Sequence, residues 1–192
     1  MNTIIKSSNG ITLVPSESRL LSDRRIFIEG EITSSSACEF VKSLMLLVQE
    51  SKDKPIDIYL NTPGGEVNAG LLIYDTIKGV KTEINIHCIG MAASMGAIIL
   101  ASGMKKHRFI LPHSKVMIHE PLIAGGVGGS ATSIKRTAES ILETKRITVD
   151  LLANDTGRSK KEIDHALSFD NYMNAEEAIA FGLCDTIEES II

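Results

Sequence analysis

The stretch INIHCIGMAASMG, residues 84–96, changes from a strand pattern to a helix pattern within a few residues. An apolar strand over 84–89 leads through a glycine-bearing turn into a helix of small residues over 92–101. The same order of strand, turn and helix occurs twice before it, over 25–50 and 56–78. Repeated alternation of this kind is typical of an α/β fold with largely parallel strands.

The two ends of the chain carry different patterns. Residues 1–14 are predicted to form a hairpin around Asn9-Gly10, a pair that favours a two-residue turn, and 15–18 to form a break. Two short strands are predicted over 108–111 and 116–119, and one long helix over 130–153. Two further helices are predicted to begin at capping boxes, formed by Ser159 with Glu162 and by Asn174 with Glu177.

The composition suits one domain and excludes several classes of function. The chain has 192 residues, 43% of them hydrophobic, and we expect a single domain over 1–192. A net charge of −4, the lack of a lysine- or arginine-rich block and the lack of tryptophan argue against a nucleic-acid partner. The three cysteines form no CxxC pair, so a reducing compartment fits better than a disulfide framework or a zinc ribbon. No apolar run approaches the roughly 20 residues that span a bilayer, so we expect a cytoplasmic protein without a membrane partner.

Ser94 is a candidate nucleophile because it lies between a strand and a helix. The pattern places it in the first turn of the helix, where unpaired backbone N–H groups can stabilise a developing oxyanion. Its small neighbours Ala92, Ala93 and Gly96 leave room for a substrate backbone. Short motifs of glycine and serine are common, however, and a small residue here also suits plain packing of the helix on the sheet.

A nucleophilic serine needs a base, and His119 is the best placed of the five histidines because it ends an apolar strand. His87 lies inside a strand and is predicted to be a core or edge residue. The polar surroundings of His107, His113 and His165 favour the surface. The spacing of the histidines matches no common metal motif, so no metal site is predicted.

Asp170 is the best placed acid to orient such a base. It lies between two predicted helices, near Phe169 and Tyr172, and we expect its carboxylate to be partly buried and directional. The other candidate acids are expected to be solvated charges, and they are Asp150, Asp155, Asp164 and Asp185. Spacing alone does not show that Ser94, His119 and Asp170 meet.

Taken together, the motifs resemble the ClpP family of self-compartmentalised serine peptidases. The similarity runs in order from about residue 19 to residue 187. The segments that carry it are RLL (19–21), RIF (25–27), NTPGG (61–65), AG (69–70), IYDT (73–76), IGMAASMGA (89–97), RF (108–109), LP (111–112), VMIH (116–119), TG (156–157), AEEA (175–178) and FGL (181–183).

The resemblance implies a serine endopeptidase with a Ser–His–Asp triad. Ser94 would be the nucleophile, His119 the general base, and Asp170 the acid that holds the imidazole. The backbone N–H groups of Gly65 and Met95 would form the oxyanion hole. No metal or organic cofactor is implied, since ATP is used only by a partner unfoldase.

The resemblance also implies a fold and an assembly. The fold is the ClpP/crotonase-like spiral of strand-turn-helix units, with the 130–153 helix as a handle between rings and the 1–18 hairpin at an axial pore. Two heptameric rings would stack as a tetradecamer, and an AAA+ Clp ATPase unfoldase would feed unfolded proteins into the chamber. Residues 125–129 would bind extended peptides through edge-strand hydrogen bonds.

Four residues at three sites depart from the family pattern. Glu66 follows the double glycine where the family often has Ser, and Glu120 follows His119 where Gln is usual. Ser168-Phe169 stand where an acidic–basic pair often couples ring contacts to the triad.

Two other functions stay open at this point. A poorly active or non-enzymatic ring subunit that modulates a conventional ClpP paralogue would fit the changed ring-contact pair. A crotonase-type acyl-CoA enzyme would share the fold and the oxyanion hole but not the triad, and the contexts of Ser94 and His119 disfavour it. A phage-type head-maturation peptidase is a variant of the endopeptidase hypothesis.

Overall fold

Strands and helices alternate along the residues that the computed structural model describes, 1–7, 10–123 and 125–191. The strands are β1 (Asn2–Ser7), β2 (Gly10–Pro15), β3 (Arg25–Glu29), β4 (Ile56–Thr62), β5 (Ile84–Ala93), β6 (Arg108–Ile110), β7 (Lys115–Ile118), β8 (Asn171–Met173) and β9 (Thr186–Ile187). The helices are α1 (Ser16–Ser22), α2 (Ser34–Glu50), α3 (Val67–Gly79), α4 (Met95–Ser102), α5 (Ala131–Thr156), α6 (Lys160–Ala166) and α7 (Ala175–Phe181).

A seven-stranded, mostly parallel sheet organises the fold. Its strand order is β3-β4-β5-β6-β9, with β7 paired to β5 and β8 paired to β7. Every pairing in this sheet is parallel except that of β7 with β8. Parallel neighbours need a crossover, which α2 and α3 supply between β3, β4 and β5. The predicted α/β class is therefore confirmed.

Strand β5 is longer than the sequence pattern indicates, and it has two partners besides β4. Its residues Ile86–Cys88 pair with β6, and Met91–Ala93 pair with β7. The pairing with β7 keeps 91–93 extended, although the small residues there also suit a helix. The prediction of a helix over 92–101 is therefore wrong at its start, because α4 begins only at Met95.

Helix α4 is the most deeply buried helix, since every residue from Met95 to Ser102 is buried. It packs closely on α3, where a Cβ atom at Gly70 would lie 2.9 Å from the Cβ atom of Met95. On its other side, a Cβ atom at Gly96 would lie 2.6 Å from the Thr62 methyl group. Burial of each large apolar side chain contributes about 1.5–3 kcal/mol, so the helix that follows Ser94 is held firmly in place.

Two aspartates that were expected to be solvated charges are instead partly buried partners in ion pairs. Asp185 accepts hydrogen bonds from Arg108, a residue with no exposed surface, and Asp155 accepts one from Lys78 at 2.7 Å. In each pair the two residues lie 77 positions apart, so no local pattern predicts them. Burial alone would favour the neutral acid, but the Arg108 hydrogen bonds outweigh it and lower the pKa of Asp185.

The two strands of the predicted N-terminal hairpin are confirmed. Strands β1 and β2 pair antiparallel, with Ser7 opposite Gly10, while Asn9 of the predicted turn lies outside the described residues. The break predicted over 15–18 is wrong, because α1 begins at Ser16 directly after Pro15. The fixed φ of proline, here −54°, suits a helix start.

Capping residues set the ends of the C-terminal helices. Helix α5 spans 131–156 rather than the predicted 130–153, because it ends at Gly157, whose φ of 81° is left-handed. The predicted capping boxes at Ser159 and Asn174 are both confirmed. Within residues 1–7, 10–123 and 125–191, no helix is both long enough and apolar enough to cross a bilayer.

Four rings stack across neighbouring strands on one face of the sheet. Phe27, Tyr59, His87 and Phe109 lie with successive centroids 4.9, 4.9 and 5.0 Å apart. His87 is 7% exposed, which confirms the prediction of a core or edge residue. Its Nδ1 lies 2.8 Å from the Glu188 carboxylate and its Nε2 3.5 Å from that of Asp57. Burial alone disfavours the imidazolium, but the two carboxylates outweigh it and raise the pKa of His87.

The raised pKa predicts the sign of a pH effect on stability. The contribution of protonated His87 is complete below the unfolded-state pKa of 6.5 and is lost as the pH rises through the higher folded-state pKa. His87→Gln should therefore lower the free energy of unfolding in urea more at about pH 6 than at about pH 9. The exposed His113, changed to Gln, serves as the control and should show no such difference. Equal losses at both pH values for His87→Gln would contradict the prediction.

Candidate active site

The three predicted site residues come from the ends of three neighbouring strands. Ser94 follows β5, His119 follows β7, and Asp170 directly precedes β8. Strands β5 and β7 are parallel, so their carboxyl ends lie at the same edge of the sheet. Strands β7 and β8 are antiparallel and pair Ile118 with Asn171. One further step along that ladder sets His119 opposite Asp170.

The imidazole of His119 lies between the other two side chains. Its Nε2 is 3.0 Å from Ser94 Oγ, and its Nδ1 is 3.2 Å from Asp170 Oδ1. An ionised carboxylate only accepts hydrogen bonds, so Nδ1 donates to Asp170, and Nε2 is free to accept from the Ser94 hydroxyl. The structure brings the three residues together, and their catalytic roles stay predictions.

Asp170 is more exposed than the sequence suggests. Its side chain is 66% exposed, against 16% for that of His119. Phe169 and Tyr172 do not enclose it, because they are themselves 54% and 57% exposed. The expectation of a partly buried carboxylate is therefore wrong, since β8 is a three-residue strand paired only to β7 within the described sheet. Solvent around Asp170 weakens its attraction for a charged imidazole.

Ser94 lies at a sharp turn rather than in the first turn of the helix, which corrects the prediction. It occupies the N-cap position of α4 with φ 54° and ψ −118°, a conformation that residues other than glycine rarely adopt. Such strain costs about 1–3 kcal/mol and is retained where surrounding contacts fix it. One such contact is the hydrogen bond that the Ser94 N–H donates to the Met117 carbonyl at 2.8 Å.

Two backbone N–H groups beside Ser94 lack an acceptor in the described part of the chain. They belong to Gly65 and Met95, the residues predicted for the oxyanion hole. Met95 follows Ser94 directly, and Gly65 belongs to the turn whose Gly64 packs against Ser94. Free donors at this position can stabilise negative charge that develops on a carbonyl oxygen.

The double-glycine turn is held in place by Ile32. The Ile32 N–H donates to the Gly64 carbonyl, and the Glu66 N–H donates to the Ile32 carbonyl, both at 2.8 Å. Gly64 has a φ of 93°, and a Cβ atom there would lie 2.7 Å from the Ala93 carbonyl oxygen. The sequence marks Gly64 as part of the NTPGG motif (61–65), but neither Gly64 nor Ile32 was assigned a role. A double glycine after a strand was the available signal for Gly64, whereas nothing local marks Ile32.

Glu66 and Glu120, the two acidic residues that differ from the family pattern, each bind another residue of the chain. The Glu66 carboxylate accepts hydrogen bonds from the Ser34 N–H at 3.1 Å and the Ser34 Oγ at 2.6 Å, at the positive end of α2. The Glu120 carboxylate lies 3.0 Å from Lys145 Nζ, which also binds Asp164 at 2.9 Å. Hydrogen bonds to Asp164 and Glu120 raise the pKa of Lys145, so this ammonium group stays charged.

A pocket of about 470 Å³ adjoins the site. It begins two residues beyond Gly65 at Val67, and two residues beyond His119 at Pro121. Its remaining lining residues are Leu122, Ile123, Arg136, Thr137, Ser140, Ile141 and Thr144. Residues 125–129 form no strand in the structure, so their pairing with a peptide stays a prediction.

The buried cysteines are poor competitors for the role of nucleophile. Burial raises the pKa of Cys88 to about 11 and that of Cys184 to about 12, so both thiols stay protonated near neutral pH. Among the residues described, no three His, Cys, Asp or Glu side chains are grouped as a metal site would require.

A comparison with known protein families gives a match that covers most of the chain. The model of the family described as Clp protease matches residues 8–190. The matched range contains Ser94, His119, Asp170, Gly65 and Met95. The mostly parallel α/β architecture is consistent with the fold of that family.

Because Gly64 lies close to Ser94, we expect a methyl group added at Gly64 to destabilise the protein more than one added at an open glycine. Gly64→Ala should lower the free energy of unfolding in urea by about 1–3 kcal/mol more than Gly126→Ala. The control is matched, because Gly126 has a similar φ of 84°, but no atom of the described residues lies within 4 Å of the added methyl group. Equal losses in the two variants would show that the contact with Ala93 and Ser94 is not close.

Proposed function

The chain belongs to the Clp protease family, and we propose that it is a serine endopeptidase that cleaves unfolded polypeptides with Ser94, His119 and Asp170. Family membership makes it a peptidase, and therefore a hydrolase, in general terms. The serine mechanism rests on one observation above the others, the 3.0 Å contact between His119 Nε2 and Ser94 Oγ. The free N–H groups of Gly65 and Met95 support the same mechanism.

The proposed reaction proceeds through an acyl-enzyme. Ser94 Oγ attacks the peptide carbonyl carbon while His119 Nε2 takes the hydroxyl proton, and Asp170 stabilises the resulting imidazolium through Nδ1. The carbonyl oxygen becomes negative and accepts hydrogen bonds from Gly65 and Met95. His119 then donates the proton to the leaving amine. Water activated by the same base hydrolyses the ester, so the reaction requires no metal or organic cofactor.

The family generally forms rings and works with Clp ATPases. We propose that this chain forms two stacked heptameric rings, a tetradecamer, and receives unfolded proteins from an AAA+ Clp ATPase unfoldase. Apolar side chains that face solvent on α5 support a contact between copies, as Ile134 is 43% and Leu142 64% exposed. The cytoplasm is the proposed compartment, on the basis of cysteine usage.

A second candidate function is a poorly active ring subunit that modulates a conventional ClpP paralogue. The exposure of Asp170 favours it, because an acid that is 66% exposed orients the base weakly in the isolated chain. The two functions differ in a simple assay. The endopeptidase cleaves peptides in rings of this chain alone, whereas the modulator is active only in rings mixed with the paralogue.

Substitutions of the site residues test the endopeptidase directly. Ser94→Ala should abolish hydrolysis of a fluorogenic peptide, and Asp170→Asn should lower kcat by about 10³–10⁴-fold, because the neutral amide favours the wrong tautomer of His119. Size-exclusion chromatography should show unchanged assembly for both variants.

The exposed Asp53, changed to Asn, serves as the control and should leave kcat unchanged. Turnover near the wild-type rate in Ser94→Ala would rule out the proposed mechanism.

A further inference from the structure

Among the described residues, one cation and no carboxylate line the pocket beside the candidate active site. Five lining residues are apolar, namely Val67, Pro121, Leu122, Ile123 and Ile141, and three carry hydroxyl groups, namely Thr137, Ser140 and Thr144. Arg136 is the single charged residue among them. A side chain that enters this pocket therefore meets apolar walls and a guanidinium group.

Arg136 differs from the other cations of α5 in lacking a partner. Lys135 pairs with Glu139, Lys145 with Glu120 and Asp164, and Arg146 with Glu143. Among the described residues, Arg136 has neither an ion pair nor a side-chain hydrogen bond. Its planar guanidinium has the geometry to bind a carboxylate through two parallel hydrogen bonds. The charge is thus available to a ligand.

The acidic residues that directly follow Gly65 and His119 do not neutralise this cation. The Glu66 carboxylate is bound at the start of α2 by Ser34, and the Glu120 carboxylate is bound by Lys145. The charge that a substrate side chain meets in the pocket is therefore set by Arg136.

The position of the pocket indicates which substrate residue enters it. In acyl transfer, the scissile carbonyl oxygen lies at the oxyanion donors, so the side chain of the same residue lies beside them. The pocket begins two residues after Gly65 and two after His119, at Val67 and Pro121. This argument rests on the proposed function, because it assumes attack by Ser94.

We propose that the pocket selects an acidic residue on the acyl side of the scissile bond, with Arg136 as the specificity-determining residue. The apolar walls pack against the methylene groups of a glutamate or aspartate, and the guanidinium binds its carboxylate. A volume of about 470 Å³ is sufficient for one such side chain. A charge-assisted hydrogen bond of this kind gives a preference of about tenfold over the uncharged amide.

Peptide binding to a variant that cannot cleave the peptide tests the preference of the pocket separately from catalysis. Two short peptidyl aminocoumarin amides, identical except for Glu or Gln next to the reporter, are bound to the Ser94→Ala protein and followed by fluorescence anisotropy. The Glu peptide should bind about tenfold more tightly, and the preference should decrease at high salt. Arg136→Leu in the same background should abolish the preference. Lys135→Leu, which removes the neighbouring but paired cation, should retain it.

Hydrolysis of the same two peptides separates the inference from the proposed function. In protein with Ser94 intact, kcat/KM should favour the Glu peptide about tenfold, and Arg136→Leu should equalise the two values. Ser94-dependent hydrolysis with a Glu-to-Gln ratio that Arg136→Leu leaves unchanged would overturn the specificity and leave the endopeptidase standing. An Arg136-dependent binding preference without any hydrolysis would support the pocket and reject the endopeptidase. Equal binding of the two peptides to Ser94→Ala would overturn the inference.

Discussion

The pairing of β7 with the second half of β5 is the constraint on which the site depends. Three residue pairs, from Met91 with Lys115 to Ala93 with Met117, set the register, and the Ser94 N–H extends it by donating to the Met117 carbonyl. A slip by one residue would turn every side chain of β7 to the opposite face of the sheet, and His119 would lose both neighbours. Strand β8 is aligned by the same β7, so one strand determines the distances of His119 to Ser94 and to Asp170.

The candidate active site combines a rigid backbone around Ser94 with an acid, Asp170, that is exposed to solvent. The Ser94 turn, the double glycine and Ile32 fix the proposed nucleophile before any substrate binds. They also fix the two N–H donors that have no acceptor among the described residues, and electrostatic stabilisation of an oxyanion requires donors held in this way. Asp170, by contrast, lies on a short strand with its carboxylate largely in solvent. Burial of this edge by another copy of the chain would strengthen the hydrogen bond of Asp170 to His119, because the local dielectric constant would fall. The proposed activity therefore depends on the proposed assembly.

Local sequence patterns predicted the features that depend on residues close together in the chain. The alternation of strands and helices, the capping boxes at Ser159 and Asn174 and the interior position of His87 were all confirmed. Two of the errors arose where distant segments meet. Residues 91–93 are strand because β7 lies beside them, and Asp185 is an ion-pair partner because Arg108 reaches it from 77 positions away. The choice of Ser94, His119 and Asp170 combined strand-end position with family resemblance, but their distances and the exposure of Asp170 required the tertiary structure.

The reactivity of the Ser94 hydroxyl shows whether Ser94, His119 and Asp170 form an active triad. The assembled protein is treated with a small fluorophosphonate, which modifies activated serines, and its intact mass is measured after size fractionation. We expect one adduct per chain in the wild type, none in Ser94→Ala, and a much slower reaction in His119→Ala, because the base that activates the hydroxyl is lost. A well-assembled wild-type protein that forms no adduct would contradict the claim that the register of β5, β7 and β8 builds an active triad.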